Sequence, residues 1–123
     1  MEKRLEVMKQ YGIDYSVITY SANTVQIIDS AVDKTHSKAE VVSDLNRRTQ
    51  ELVSAYREKI GATAWIDLRL GDSVLKEMEA TSDWVLGYSV LTGYIVKGQF
   101  KMLDAPEFIP FWQKAAELEI GRA

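Results

Sequence analysis

The chain has 123 residues, 46% of them apolar and 27% charged, with fifteen Lys and Arg against eighteen Asp and Glu for a net charge of −3. That length and composition suit a single globular domain over 1–123 with a real core, far from the disordered regime. With no cysteine in the sequence, disulfides and thiolate chemistry are excluded. The mild acidity gives no electrostatic footprint for nucleic acid, and no stretch approaches the ~20 apolar residues of a membrane span. Met1-Glu2-Lys3-Arg4-Leu5 runs into polar residues, unlike a signal peptide, so a cytoplasmic location is expected.

Leu5, Val7, Met8 and Tyr11 form an apolar stripe ahead of Gly12, which predicts a helix over 2–11. Residues 13–20 read as a strand, and the β-rich run from Thr24 to Val32 as a second, joined through the turn-like Ser21-Ala22-Asn23 in a hairpin. Ser37 and Glu40 fit a capping box. Val41, Val42, Leu45, Thr49, Leu52, Val53, Tyr56 and Ile60 then follow at helical spacing up to Gly61, a long helix over 38–60. Its outer face pairs Asp44 with Arg48 and Arg47 with Glu51 at i,i+4.

From Ala62 to Leu70, apolar residues alternate with Thr63, Trp65, Asp67 and Arg69, as in a strand with one apolar face. Residues 73–81 read as a helical turn or two, or as loop. Trp84 to Val96 reads as one long strand. Asp104-Ala105-Pro106-Glu107 opens a last helix carrying Phe108, Phe111 and Trp112 and ending near Gly121. Pro110 implies a kink there or a later start. The order predicts an α+β fold: a mostly antiparallel sheet of about four strands packed on one long helix, with short N- and C-terminal helices.

No motif carries chemistry outright. Gly87-Tyr88-Ser89-Val90-Leu91 lacks the second glycine of a nucleophile elbow. His36, the only histidine, is the sole side chain whose ordinary titration suits a general base near neutrality, and a solvated loop residue is the simpler account. One histidine without cysteine cannot build a soft-metal shell. Asp72, Glu77, Glu79 and Asp83 could supply oxygen ligands to a hard cation, but their spacing matches no known cation loop and a solvated acidic loop is the simpler account. No catalytic, cofactor or metal residue is therefore assigned. Asp67 and Arg69 remain polar candidates. Trp65, Trp84, Tyr88, Tyr94, Phe108, Phe111 and Trp112 are either core or contacts to a partner subunit or small apolar ligand.

The charged helix running into Gly61-Ala62-Thr63-Ala64, the apolar strand to Leu68 and the segment Val90-Leu91-Thr92-Gly93-Tyr94-Ile95-Val96 resemble the small YbjQ-like family, associated with heavy-metal binding. The resemblance implies a sheet on a long helix and a ring-like homo-oligomer. The chain departs from it at Ser21-Ala22-Asn23-Thr24, where that family carries glycine, and in its aromatic C-terminal helix. No functional residue carries over.

Two readings of function follow. The first is a homo-oligomeric binding or assembly protein without catalytic activity. The alternative is a small enzyme using carboxylate and Arg chemistry in a cleft around Asp67 and Arg69.

Overall fold

The computed structural model describes residues 1–21, 23–33 and 36–118. Helices α1 (Glu2–Gln10), α2 (Thr24–Ala31), α3 (Lys38–Ala55), α4 (Asp72–Thr81) and α5 (Ile109–Glu117) are interspersed with short strands. These are β1 (Ser16–Ile18), β2 (Ile60–Ala62), β3 (Ala64–Trp65), β4 (Tyr88–Ser89), β5 (Gly93–Val96) and β6 (Gln99–Met102). The mixed helix-and-strand class is as expected. The sheet is not.

β1 pairs parallel with β2, and β3 pairs parallel with β4; only β5 and β6 are antiparallel. Thr63 joins β2 to β3 and donates its amide to the Ile18 carbonyl at 3.0 Å. On the other side the Leu86 amide reaches the Ala62 carbonyl at 3.0 Å and the Ile66 amide reaches the Ser89 carbonyl at 3.1 Å. Residues 60–66 thus form one central stretch with a parallel neighbour on each side. The expected four-stranded antiparallel sheet fails because its first hairpin does not exist. Parallel strands need a crossover of a dozen or more residues, and here α2 and α3 supply the first and α4 the second.

The misread crossover is α2. Its β-branched residues favour a strand by propensity. Yet Thr24 and Ile28, four apart, are both buried on one helical face, and tertiary packing overrides the preference. α3 begins as expected, with the Glu40 amide donating to Ser37 Oγ at 3.3 Å. It stops at Ala55 rather than at residue 60, since Ile60 and Gly61 belong to β2. Its outer ion pairs form, Arg48 with Asp44 at 3.1 Å and Arg47 with Glu51 at 3.2 Å.

The strand expected to run to Leu70 ends at Trp65, because Asp67 accepts the Arg69 amide at 3.1 Å and starts a 3-10 turn over Leu68–Leu70. Residues 73–81 lie in α4. The long strand expected over 84–96 breaks at Leu91, whose amide donates to the Tyr94 hydroxyl at 2.8 Å instead of a ladder partner. Beyond the break, β5 turns into β6 through Lys97 and Gly98, with φ of 51° and 77°, the two left-handed positions of a tight hairpin. Of the two outcomes at Pro110 the later start holds: Pro106–Phe108 is a 3-10 turn and α5 opens at Ile109, where a missing amide is harmless. The expected end near Gly121 lies outside the described residues.

One core cluster gathers Ile66, Leu68, Val74, Met78, Tyr94, Phe108 and Phe111, and a second Ile28, Val42 and Trp65. Tyr15, Val17 and Leu86 stay 45–49% exposed near Gly61. Among the described residues, no helix is long and apolar enough to cross a membrane.

Candidate functional site

The carboxyl end of the central stretch is where the polar groups collect. Asp67 follows it directly, with its side chain fully buried. Its carboxylate accepts from Arg69 Nε at 2.8 Å and from Arg69 Nη2 at 2.5 Å. The other side of the guanidinium reaches α2, with Nη2 and Nη1 donating to the Asp29 carboxylate at 3.0 and 3.3 Å. Lys38 lies 3.6 Å from the same carboxylate. The Asp67 hydrogen bond, reinforced by Asp29, raises the Arg69 pKa further above its ordinary value. The Arg69 hydrogen bond holds the Asp29 carboxyl below its usual range. A guanidinium fork suits two such carboxylates geometrically.

The two acids differ in access. Asp67 is sealed, whereas the Asp29 side chain is 43% exposed. Asp67 also borders a cavity of about 150 Å³ lined by Val42, Ile66, Leu70, Val74 and Glu77. Arg69 does not line it. Asp67 and Arg69, the polar candidates of the sequence, are hydrogen-bonded to each other but do not share the cavity, and Asp29 joins them from forty residues away on a segment expected to be a strand.

Beside this pair sits Trp65, 1% exposed. Its amide donates to Asn46 Oδ1 at 2.8 Å, and Asn46 Nδ2 donates both to the Trp65 carbonyl at 2.9 Å and to Glu77 Oε1 at 3.0 Å. The indole meets Tyr20 edge to face at 6.2 Å, and Tyr20 is hydrogen-bonded to Thr49. Burial raises the Tyr20 pKa above its ordinary value, partly countered by that bond. Asn46 was overlooked, although a signal existed: it stands in the buried stripe of α3 between Val42 and Val53, a polar residue where an apolar one fits.

The other candidates scatter. Tyr94 and Phe108 stack edge to face at 5.9 Å, and Tyr88 and Phe111 at 6.3 Å, so Phe108 and Phe111 turn into their own core. Trp84 is half-buried. Trp112 is 47% exposed and donates its indole N–H to the Leu103 carbonyl at 2.9 Å. His36 is exposed ahead of α3, with its amide and ring nitrogen on the Asp33 carboxylate at 2.9 and 3.3 Å.

No family model and no curated protein matches the chain. Solved structures do. The 2,6-dihydroxybenzoate decarboxylase from Rhizobium superposes on 98% of the chain with a TM-score of 0.80 at 22% identity. The decarboxylase complexed with 2,6-dihydroxybenzoate gives 0.79 over the same share. A proposed amidohydrolase from Staphylococcus aureus gives 0.73 over 97% at 14% identity. The chain shares its fold with part of these proteins. It spans 37% of the length of each. These neighbours overturn the expectation of a non-catalytic binding protein of YbjQ-like kind, since the fold is one that decarboxylase and amidohydrolase chains contain.

Proposed function

We propose that the chain contributes to an enzyme acting on a small carboxylic acid, with Arg69 as the group that takes the carboxylate. The observation that carries this reading is the superposition of nearly the whole chain on a decarboxylase solved with 2,6-dihydroxybenzoate. Its physical support is local. Ligands of parallel α/β folds bind beyond the carboxyl ends of the strands, and Arg69 stands two residues past Asp67 at such an end. Asp67 fixes one edge of the guanidinium from a sealed position. The second edge is held by the more exposed Asp29, a carboxylate that a carboxylate ligand can replace. The groups that break the bond belong, in this proposal, to the larger enzyme of which the chain matches about a third.

Calorimetric titration of 2,6-dihydroxybenzoate into the full chain tests the assignment. Arg69→Gln is expected to weaken binding more than about tenfold, the size of one lost charge-assisted hydrogen bond or more. Arg69→Lys keeps the charge and loses the fork, so it should fall between. Equal affinity for wild type and Arg69→Gln contradicts the reading.

A further inference from the structure

Buried donors without partners are rare, and each one calls for a reason. Two indoles in this chain carry one: the Nε1–H groups of Trp65 and Trp84 find no hydrogen-bond partner among the described residues. Trp84 precedes β4 and so lies at the amino end of its strand, away from the carboxyl end where Asp67 and Arg69 collect. Trp65 ends β3 itself, two residues before Asp67.

The surroundings hold Trp65 in place with unusual firmness for an unsatisfied group. Asn46 fixes its backbone on both the donor and the acceptor side. Tyr20 sets the ring edge. Ile28 of α2 and Val42 of α3 share the buried cluster of Trp65, with Val25 of α2 packed against it. The ionic tie of α2 to the strand end is the Asp29–Arg69 contact, the contact that a carboxylate ligand would displace.

We infer that Trp65 is a ligand-contacting residue whose indole N–H donates to an oxygen of the acid bound by Arg69, uncovered when α2 releases Arg69. This rests on the carboxylate-binding role given to Arg69 above. The acid replaces Asp29 on the guanidinium, α2 loses that tie while Lys38 still holds Asp29, and Ile28 withdraws from the ring. A hydroxybenzoate suits both contacts, since it carries a carboxylate for the fork and further oxygens as acceptors. The orphan donor is then a binding group kept dry until the ligand arrives.

The test is nuclear magnetic resonance of the full chain labelled with nitrogen-15, titrated with 2,6-dihydroxybenzoate. The sequence has three tryptophans, so the indole signals are assigned by Trp65→Phe, Trp84→Phe and Trp112→Phe. The Trp65 indole proton should move downfield with the same midpoint as the Arg69 Nε signal, while those of Trp84 and Trp112 stay. Trp65→Phe, which keeps a ring but removes the donor, should weaken binding about tenfold. If the Arg69 signal titrates and the Trp65 indole does not, Trp65 is packing only and the carboxylate reading survives alone. If neither moves, both are wrong.

Discussion

Asn46 takes the place of a neighbouring strand for Trp65, accepting its amide proton at 2.8 Å and donating to its carbonyl at 2.9 Å. The need arises because β1 ends at Ile18, one step short of Trp65, and buried backbone groups must be paired. A helix side chain thus finishes the ladder that the sheet leaves open. The same carboxamide reaches Glu77 of α4, so one residue joins α3, the central stretch and α4.

Asn46→Ala should therefore cost about 2–4 kcal/mol, since it strands two buried backbone groups at roughly 1–3 kcal/mol each. Asn46→Asp keeps the acceptor but sets a carboxylate against the Trp65 carbonyl and Glu77. Its loss should be larger at neutral pH and shrink in acid. Urea midpoints at pH 7 and pH 4 measure both. An unchanged midpoint for Asn46→Ala means the clamp is not formed.

The Asp67–Arg69–Asp29 group predicts an asymmetry. Arg69→Met leaves Asp67 as an uncompensated, fully buried charge and should cost about 3–5 kcal/mol. Asp29→Asn touches a 43% exposed partner and should cost under about 1 kcal/mol. The pH dependence follows from the depressed Asp29 carboxyl. Its folded pKa lies below its unfolded one, so its stabilisation is present above about pH 4 and lost as pH falls through the folded value. Thermal melts across pH 2–6 should show a shallower acid limb in Asp29→Asn than in wild type.

Tyr94 is one of the buried phenols that shape the alkaline side. Burial is the largest influence on its phenol and pushes the pKa up to about 12 from an ordinary 10.0. The folded value exceeds the unfolded one, so this stability is intact below pH 10 and is lost as pH rises through the interval up to about 12. Tyr94→Phe should make that limb shallower, leaving the share of Tyr20 and Tyr88, whose pKa values burial also raises. It should also cost about 1–2 kcal/mol near neutrality, because the hydroxyl accepts from the Leu91 amide at 2.8 Å and donates to the Ile66 carbonyl at 3.3 Å. Phenolate absorbance during alkaline titration reads the first effect and urea unfolding the second.

Local signals were readable where one residue type decides the geometry. Ser37 with Glu40 announced α3, and the Pro106 and Pro110 pair bounded the start of α5. The sheet was not readable, because β1 to β4 are two or three residues long and the alternation over 62–70 runs past β3 into a 3-10 turn. α2 hid behind Val25, Ile27 and Ile28, whose strand propensity lost to the burial of Ile28 against Trp65. The β5–β6 turn escaped notice because Lys97, not Asn or Asp, stands before Gly98 at a left-handed position. At the candidate site, Asp67 and Arg69 were adjacent enough to be paired on paper. Asp29 and Asn46 join them only through the crossover helices, and with those helices misplaced no spacing rule could bring them there.

The central claim is that Arg69 recognises a carboxylate, and a pair of calorimetric titrations on the unaltered chain addresses it most directly. One uses 2,6-dihydroxybenzoate; the other uses resorcinol, the same ring and hydroxyls without the carboxylate. The account predicts one-to-one binding of the acid and at least about tenfold weaker binding of resorcinol, the loss expected when a guanidinium fork has no anion to hold. Equal affinities, or no binding of the acid, would contradict it.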